Sequence, residues 1–264
     1  LFAGLLIGAI GIGGVILVPT LVYFAEVPVH AAIAAAMMSY ILTGLVGTYV
    51  YARARSVRWD MVGWLWAGAM PAAVAGAFAA NSASASLLEV LIGLLTASSG
   101  VYALFSPHKV GDQAGAPRSN VSLGVIGMIT GFASALSGTG GPLVLVPILL
   151  WLDVPVLTAV ALSQVIQLPI ALLATASNLH NGSLDVALGG LLAIGVTLGA
   201  WSGAKVAHAV PTAALRNMVA VVLIAVGALI FFTVAPNAYQ LYGAEEGRGR
   251  FRGDSLLGCE PRAG

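Results

Sequence analysis

The chain of 264 residues is 59% hydrophobic and only 8% charged, with a net charge of +1 at pH 7. Because an ordinary soluble domain is about 25% charged, this composition excludes a soluble domain and predicts an integral membrane protein. The near-neutral charge provides no basic surface for phosphates, which argues against a nucleic-acid partner. The single cysteine, Cys259, excludes an intramolecular disulfide and a cysteine-based metal cluster.

Apolar stretches of about 20 residues mark membrane helices, because this length crosses the hydrocarbon core of a bilayer. Short breaks with turn signals and charge separate such stretches here. The stretches cover residues 1–24, 30–51, 61–80, 86–105, 120–151, 156–178, 186–208 and 214–234. The sequence therefore predicts an all-α polytopic membrane protein with six to eight transmembrane helices. Leu1 already lies in an apolar run, so we expect the true N-terminus to be missing.

The two halves of the chain share an order of motifs: a Gly-Gly pair, a proline and a Val-Pro pair. These are Gly13-Gly14, Pro19 and Val27-Pro28, then Gly140-Gly141, Pro147 and Val154-Pro155. Internal repeats are common in transporters, although apolar helices also resemble one another by composition alone. We predict a first membrane repeat at 1–105, a linker at 106–119, a second membrane repeat at 120–234 and a polar, disordered tail at 235–264.

Two topologies are compatible with the stretches at 1–24 and 120–151, of which the second is longer than one span requires. If every stretch crosses once, five of the seven Lys and Arg residues before the tail lie on one side. If these two stretches are hairpins, all seven lie together and the repeats are inverted, as the positive-inside rule favours. The tail arginines then lie outside, which counts against the hairpins, and a plain eight-span protein is the alternative.

Two glycine-rich breaks are the leading candidate for a binding site. Unwound backbone at membrane depth is tolerated where it is buried or lines a cavity, and the N–H groups at a half-helix N-terminus attract anions. We expect the two breaks to meet near the midplane and bind the solute. The alternative is that the glycines only allow close helix packing. The candidate residues are Gly11, Gly13, Gly14, Ser137, Gly138, Thr139, Gly140 and Gly141.

The stretch 156–178 carries polar side chains, among which Gln164 and Gln167 share one face. Their neutral amides could donate hydrogen bonds to an oxyanion, or they could join helices to one another. In the first half, Ser39 and Thr43 could face the same cavity, although hydroxyls in membrane helices more often bond to their own backbone.

Ionisable side chains are absent from the centres of the predicted spans, which weakens a metal-cation carrier because such a carrier needs carboxylates. The candidates near segment ends are Glu89, Lys205, His30, His180, Asp60 and Asp185. The four histidines lack the spacing of a zinc site, and neither a nucleophile elbow nor a phosphate-binding loop occurs. The sequence therefore predicts no enzyme activity and no cofactor.

The paired glycine motifs resemble those of the TauE/SafE family of membrane permeases, known as sulfite exporters. The resemblance covers about residues 1–234, and Val15 stands where the family has a third consecutive glycine. It implies a multi-pass carrier in the bacterial inner (plasma) membrane for sulfite, sulfonates or related organic acids, driven by an ion gradient. The motifs are Gly11-Ile12-Gly13-Gly14 with Val18-Pro19, and Gly138-Thr139-Gly140-Gly141-Pro142 with Val146-Pro147.

The expected function is therefore secondary transport, with a small anionic solute and the lipid bilayer as partners. The breaks would donate backbone N–H groups, Thr139, Gln164 and Gln167 would donate from their side chains, and one repeat would rock against the other. The rivals are a non-transporting membrane scaffold or assembly protein, and a cation carrier that depends on Glu89, Asp60 or Asp185.

Overall fold

The computed structural model of the protein describes residues 1–11, 14–79, 101, 119–180, 184–211, 213–215, 217–225 and 228. Within these residues, all regular structure is helical. The helices are α1 (Phe2–Ile10), α2 (Gly14–Phe24), α3 (Val29–Arg53), α4 (Trp59–Ala79), α5 (Asn120–Ser137), α6 (Pro142–Trp151), α7 (Val156–His180) and α8 (Val186–Ala209), followed by the shorter apolar helix Ala213–Ala225. The predicted tail, nearly all of the linker and nearly all of the predicted span 86–105 lie outside the described residues.

Five helices of the described part are long and apolar enough to cross a membrane: most of α3, and all of α4, α5, α7 and α8. Their outward surfaces carry many large apolar side chains, such as Leu191, Ile194 and Phe78. Water would solvate these surfaces poorly, whereas lipid tails match them. The chain is therefore a multi-pass membrane protein, as its composition predicts.

Both of the long stretches that contain glycine motifs are interrupted. The first helix, α1, ends at Gly11, whose N–H donates to the carbonyl oxygens of Ile7 (2.9 Å) and Leu6 (3.2 Å). Helix α5 ends in the same way at Gly138, whose N–H donates to the carbonyl oxygen of Ser134 at 3.0 Å. Both glycines have positive φ, 84° and 72°. This left-handed conformation closes a helix and favours glycine, so the breaks follow directly from the sequence.

The contacts between α4 and α5 show that these helices run parallel. Gly127 lies against the backbone of Leu65, and Gly131, one turn later, lies against Ala69. Helices α1 and α8 form a second parallel pair. In that pair Gly4 lies against Val196 and Gly8 against Ala200.

Helices α3 and α7 run antiparallel. The Gln167 side chain bonds to the carbonyl oxygen of Tyr40, whereas Gln164, earlier in α7, lies beside Gly47, later in α3. Helix α6 starts where Gly141 lies near Ile166 in the middle of α7, and it ends just before α7 begins. Helix α4 starts a few residues after α3 ends, so it runs antiparallel to α3 and parallel to α7. Because α5 runs parallel to α4, α5 and α6 form a hairpin whose outer ends lie at the same end of the bundle.

The contacts between helices come in reciprocal pairs. The α1–α8 contact corresponds to α5–α4, the α3–α8 contact to α7–α4, and the α2–α3 contact to α6–α7. Helices α3 and α7, which occupy equivalent places in this scheme, each have 25 residues. Exchanging the two halves of the chain therefore leaves the described pattern of contacts nearly unchanged.

Helices α3 and α8 run parallel, because Met38 lies against Gly189 and the Tyr51 ring lies against His208. The lysine and arginine residues of the described part gather at one end of the bundle, where α3 and α8 finish and α4 begins. They are Arg53, Arg55, Arg58 and Lys205. The opposite end contains the α2–α3 loop with Glu26 and the start of α8 with Asp185. The two ends of the bundle therefore differ in the sign of their charge.

Glycines at four-residue spacing let the paired helices touch through their backbones. A methyl group added at Gly8 would overlap the carbonyl oxygen of Ala200, and one added at Gly203 would overlap that of Leu5. Lipid tails give helices no hydrophobic drive to associate, so close van der Waals packing between small residues must hold them together. Close contacts between helix backbones are therefore made by glycines within the helices, whereas the break glycine Gly140 lies against a side chain, that of Tyr40.

Two glycines of α8 allow a matched test of this packing. We expect Gly203→Ala to lower stability by about 1–3 kcal/mol, as overpacking does, because the added methyl group would meet the α1 backbone. Gly195→Ala should be neutral or slightly stabilising, because a methyl group there meets no atom within 4 Å. The measurement is the temperature at which the detergent-solubilised protein loses its monodisperse peak. Equal shifts for the two variants would contradict the packing argument.

Candidate functional site

The two breaks lie against each other inside the bundle. A methyl group at Gly14 would stand 2.9 Å from the carbonyl oxygen of Thr139, and one at Gly11 would stand 3.2 Å from Cβ of Pro142. Both breaks lie beside the middle of α7, where Ser163 approaches the Gly11 position to 3.0 Å. Gly13, which belongs to the first motif, lies outside the described residues.

The N-terminus of α6 opens onto this junction. Gly140 and Gly141 have φ of 80° and 103°, and the carbonyl oxygen of Gly141 accepts the first bonds of the helix, from Val144 and Leu145. The backbone N–H groups of Gly140, Gly141 and Leu143 have no hydrogen-bond partner within the described part of the chain. The junction therefore receives several N–H donors without a partner among the described residues, together with the positive end of the helix dipole.

The Tyr40 side chain of α3 fills the space between the two breaks. A methyl group at Gly14 would stand 2.6 Å from its hydroxyl oxygen, and one at Gly140 would stand 2.8 Å from its ring carbon Cδ2. Tyr40 is buried, and its hydroxyl has no partner in the described structure. Glycine at these two positions therefore makes room for the tyrosine, which places a free hydroxyl at the junction.

A second buried polar atom at the junction lacks a partner among the described residues: the Ser134 hydroxyl, close to Gly141. The Oε1 atom of Gln164 is also unpaired, but it lies against Gly47 of α3. Buried polar groups are nearly always hydrogen-bonded, so unpaired atoms around one break mark a place where a polar ligand or water belongs.

The amide donors of the two glutamines are already engaged. Gln164 donates from Nε2 to the carbonyl oxygen of Ile7 at 2.6 Å, which ties α7 to α1 just before the first break. Gln167 donates to the carbonyl oxygen of Tyr40 at 3.3 Å and to the Thr43 hydroxyl at 2.9 Å, which ties α7 to α3. In this conformation both amides join helices, as the packing alternative describes. Both N–H groups of Gln167 are engaged, whereas Gln164 uses one of its two.

Hydroxyl groups near the breaks divide into those bonded locally and those left free. Ser137 donates to the carbonyl oxygen of Ala133 at 2.7 Å and bonds to the Thr139 hydroxyl at 2.8 Å. Ser39 donates to the carbonyl oxygen of Ala36 at 2.7 Å, and Thr43 bonds to carbonyl oxygens of its own helix. Ser39 and Thr43 therefore follow the backbone-bonding alternative rather than facing a cavity.

The sequence analysis missed Tyr40 and Ser134. Ser134 belongs to a line of hydroxyl side chains, Thr130, Ser134 and Ser137, whose spacing of four and three residues places them on one face of α5 leading to the break. Tyr40 lies in mid-span, whereas membrane tyrosines usually lie at the interfaces. Both signals are visible in the sequence.

The ionisable candidates have structural roles where the structure describes them. Asp60 pairs with Arg58 at 2.7 Å, and Asp185 caps α8 by accepting from two backbone N–H groups. The described residues contain no group of three or more His, Cys, Asp or Glu side chains placed to hold a metal ion. Glu89 and the side chain of His30 lie outside the described part.

Comparison with known proteins identifies the family. Residues 1–230 match the family described as Sulfite exporter TauE/SafE. The chain belongs to the TauE/SafE family. This result confirms the resemblance carried by the glycine motifs, and it makes the chain a membrane transporter of the permease type.

A relative of this TauE/SafE transporter comes from Bacillus subtilis (strain 168) and is named "Probable membrane transporter protein YunE". The two sequences are 27% identical over 262 residues, which cover 88% of this chain and 94% of the relative. No solved structure matches the chain. The similarity therefore extends over most of the length of both chains.

Two buried tyrosines of α3 test whether the junction contains an unsatisfied hydroxyl. Tyr51 donates to the carbonyl oxygen of Gly8 at 2.8 Å, so Tyr51→Phe should lose one hydrogen bond and about 0.5–1.5 kcal/mol of stability. Tyr40→Phe should leave stability unchanged or raise it, because it removes a buried hydroxyl without a partner. Thermal denaturation of both variants in detergent measures the difference. A loss for Tyr40→Phe as large as that for Tyr51→Phe would contradict this description.

Proposed function

We propose that the protein is a secondary transporter of a small oxyanion, such as sulfite, a sulfonate or a related organic acid, which binds where the two breaks meet. The observation that carries the proposal is the α6 N-terminus, whose first N–H groups have no partner in the described part of the chain and which lies beside the unpaired hydroxyls of Tyr40 and Ser134. Among the described residues, every fully buried polar side chain is neutral. A neutral site with a helix N-terminus favours an anion by about 0.3–1 kcal/mol or more.

The residues of the site have different proposed roles. The N–H groups of Gly140, Gly141 and Leu143 bind the anion, and the hydroxyls of Tyr40 and Ser134 donate further hydrogen bonds. The first break, through Gly11 and Gly14, forms the opposite wall. Gln164 and Gln167 hold α1 and α3 at the correct distance from α7, and Ser137, Gly138 and Thr139 shape the turn before α6.

The arrangement of helices supports a transport cycle based on two inverted repeats, at 1–105 and 120–234. Equivalent helices of an inverted repeat run in opposite directions, as α3 and α7 do, and reciprocal contacts between helices agree with this relation. Substrate sites of such transporters lie at the repeat interface near the midplane. Access would alternate as parts of the bundle move around the junction, driven by an ion gradient.

The charge distribution supports an orientation in the inner membrane. Cytoplasmic loops of membrane proteins are enriched in Lys and Arg. The end of the bundle with Arg53, Arg55, Arg58 and Lys205 would therefore face the cytoplasm. The end with Glu26 would face the opposite side.

Binding and transport of sulfite test the proposed function. The detergent-purified protein should be stabilised by sulfite and not by chloride, by about 2.7 kcal/mol at a concentration of 100 times Kd. In proteoliposomes, Tyr40→Phe should transport sulfite several-fold more slowly while remaining folded. Gly140→Leu should abolish transport, because its side chain would collide with Tyr40. Gly63→Leu is the control, since a methyl group at Gly63 meets no atom within 4 Å.

Several results would count against this function. Full sulfite flux in folded Gly140→Leu would remove the glycine junction from the mechanism. Stabilisation by metal ions instead of any sulfur oxyanion would favour a cation carrier. If no solute stabilises the protein and sealed vesicles show no flux, the scaffold alternative would be favoured.

The hairpin topology predicts which loops share a side of the membrane. In a Cys259→Ser background, single cysteines replacing Ala54 and Pro155 should react with an impermeant maleimide from the same side. Cysteines replacing Ala25 and Val186 should both react from the other side. An eight-span protein would place the members of each pair on opposite sides, so labelling of sealed vesicles of known orientation separates the two topologies.

A further inference from the structure

A shallow groove of about 310 Å³ lies between α3 and α8 on the membrane-facing surface, away from the junction of the breaks. Its lining residues are Val46, Tyr49, Thr197, Leu198 and Trp201. Tyr49, Leu198 and Trp201 are about half exposed, at 59%, 55% and 46%. The groove is therefore an open, mainly apolar surface that an elongated apolar group can occupy.

Two cations stand at one end of this groove, each held by an aromatic side chain of its lining. Arg53 donates from Nη1 to the Tyr49 hydroxyl at 2.8 Å. Lys205 places Nζ 3.7 Å from the centre of the Trp201 ring. Each cation follows its aromatic partner by four residues, and α3 and α8 run parallel. Both positive charges therefore lie at the same end, where these helices finish.

Neither cation forms an ion pair with a carboxylate in the described part of the chain, where Arg58 pairs with Asp60. An apolar groove that ends at two cations in the interfacial region complements an anionic phospholipid. The acyl chain matches the groove, and the phosphate matches the pair of cations. A zwitterionic lipid would bring its own cation to the same place and would be bound less well.

We propose that this groove binds one anionic phospholipid, with the phosphate between Arg53 and Lys205 and an acyl chain along Val46 and Leu198. The lipid would join α3 of the first half to α8 of the second half. It would therefore stabilise the contact between the halves at the end of the bundle that is rich in Lys and Arg. This proposal is independent of the substrate of the transporter.

Native mass spectrometry of the full chain, titrated with phosphatidylglycerol or phosphatidylcholine of the same acyl composition, tests the proposal. Wild type should retain one phosphatidylglycerol in preference to phosphatidylcholine. Loss of one Lys or Arg near an anionic headgroup corresponds to about fivefold in affinity, so Arg53→Gln with Lys205→Gln should weaken retention roughly 30-fold. The matched control, Arg55→Gln with Arg58→Gln, removes two charges from the same end and should bind as wild type does.

Three results would overturn the lipid site. Equal weakening by both double variants would indicate general attraction to surface charge. Equal retention of the two lipids would indicate that only the apolar groove matters. A second copy of the chain would be the occupant if Leu198→Cys, in a Cys259→Ser background, formed cross-linked dimers while wild type retained no lipid.

Discussion

A backbone N–H group inside the hydrocarbon core has no water to bond with, so any interruption of a membrane helix must find partners in the protein or in a bound solute. Two interruptions of this chain are placed side by side. The carboxyl ends of α1 and α5 are closed by Gly11 and Gly138, whose N–H groups turn back to their own helices. The start of α6 is not closed in this way, so the unmet donors are concentrated at one place.

The other elements of the bundle hold this place together. Helix α7 is the most buried of the candidate spans, and its two glutamines reach α1 and α3. Tyr40 lies between the two breaks, and its hydroxyl has no hydrogen-bond partner in the described structure. The middle of the bundle is thus fixed by neutral hydrogen bonds, and no buried ion pair is found there among the described residues. An incoming anion would therefore not be repelled by a fixed negative charge among these residues.

The sequence was sufficient for the elements that depend on local chemistry. Apolar length predicted the five candidate spans of the described part. Glycine-rich motifs predicted the two helix breaks, because positive φ favours glycine wherever it occurs. The hydrogen-bond partners of the polar side chains could not be predicted in this way. Gln164 and Gln167 looked equally suited to binding or to packing, since their partners depend on the antiparallel register of α3 and α7, which is a long-range property. The sequence shows that Tyr40 lies in mid-span, but not that it lies between the breaks. That position depends on how α3 packs against the starts of α2 and α6.

The glycine contacts within the parallel helix pairs have a mechanical consequence. Helix α1 comes from the first half of the chain and α8 from the second, yet their backbones touch through Gly4, Gly8 and Gly203. Helices α4 and α5 are locked across the halves in the same manner. Surfaces this closely fitted cannot slide without first separating. Any rigid body that moves must therefore carry helices from both halves. Shear would be easier along the α3–α7 seam, where a methyl group at Gly44 would meet the α7 backbone at an ordinary van der Waals distance of 3.4 Å.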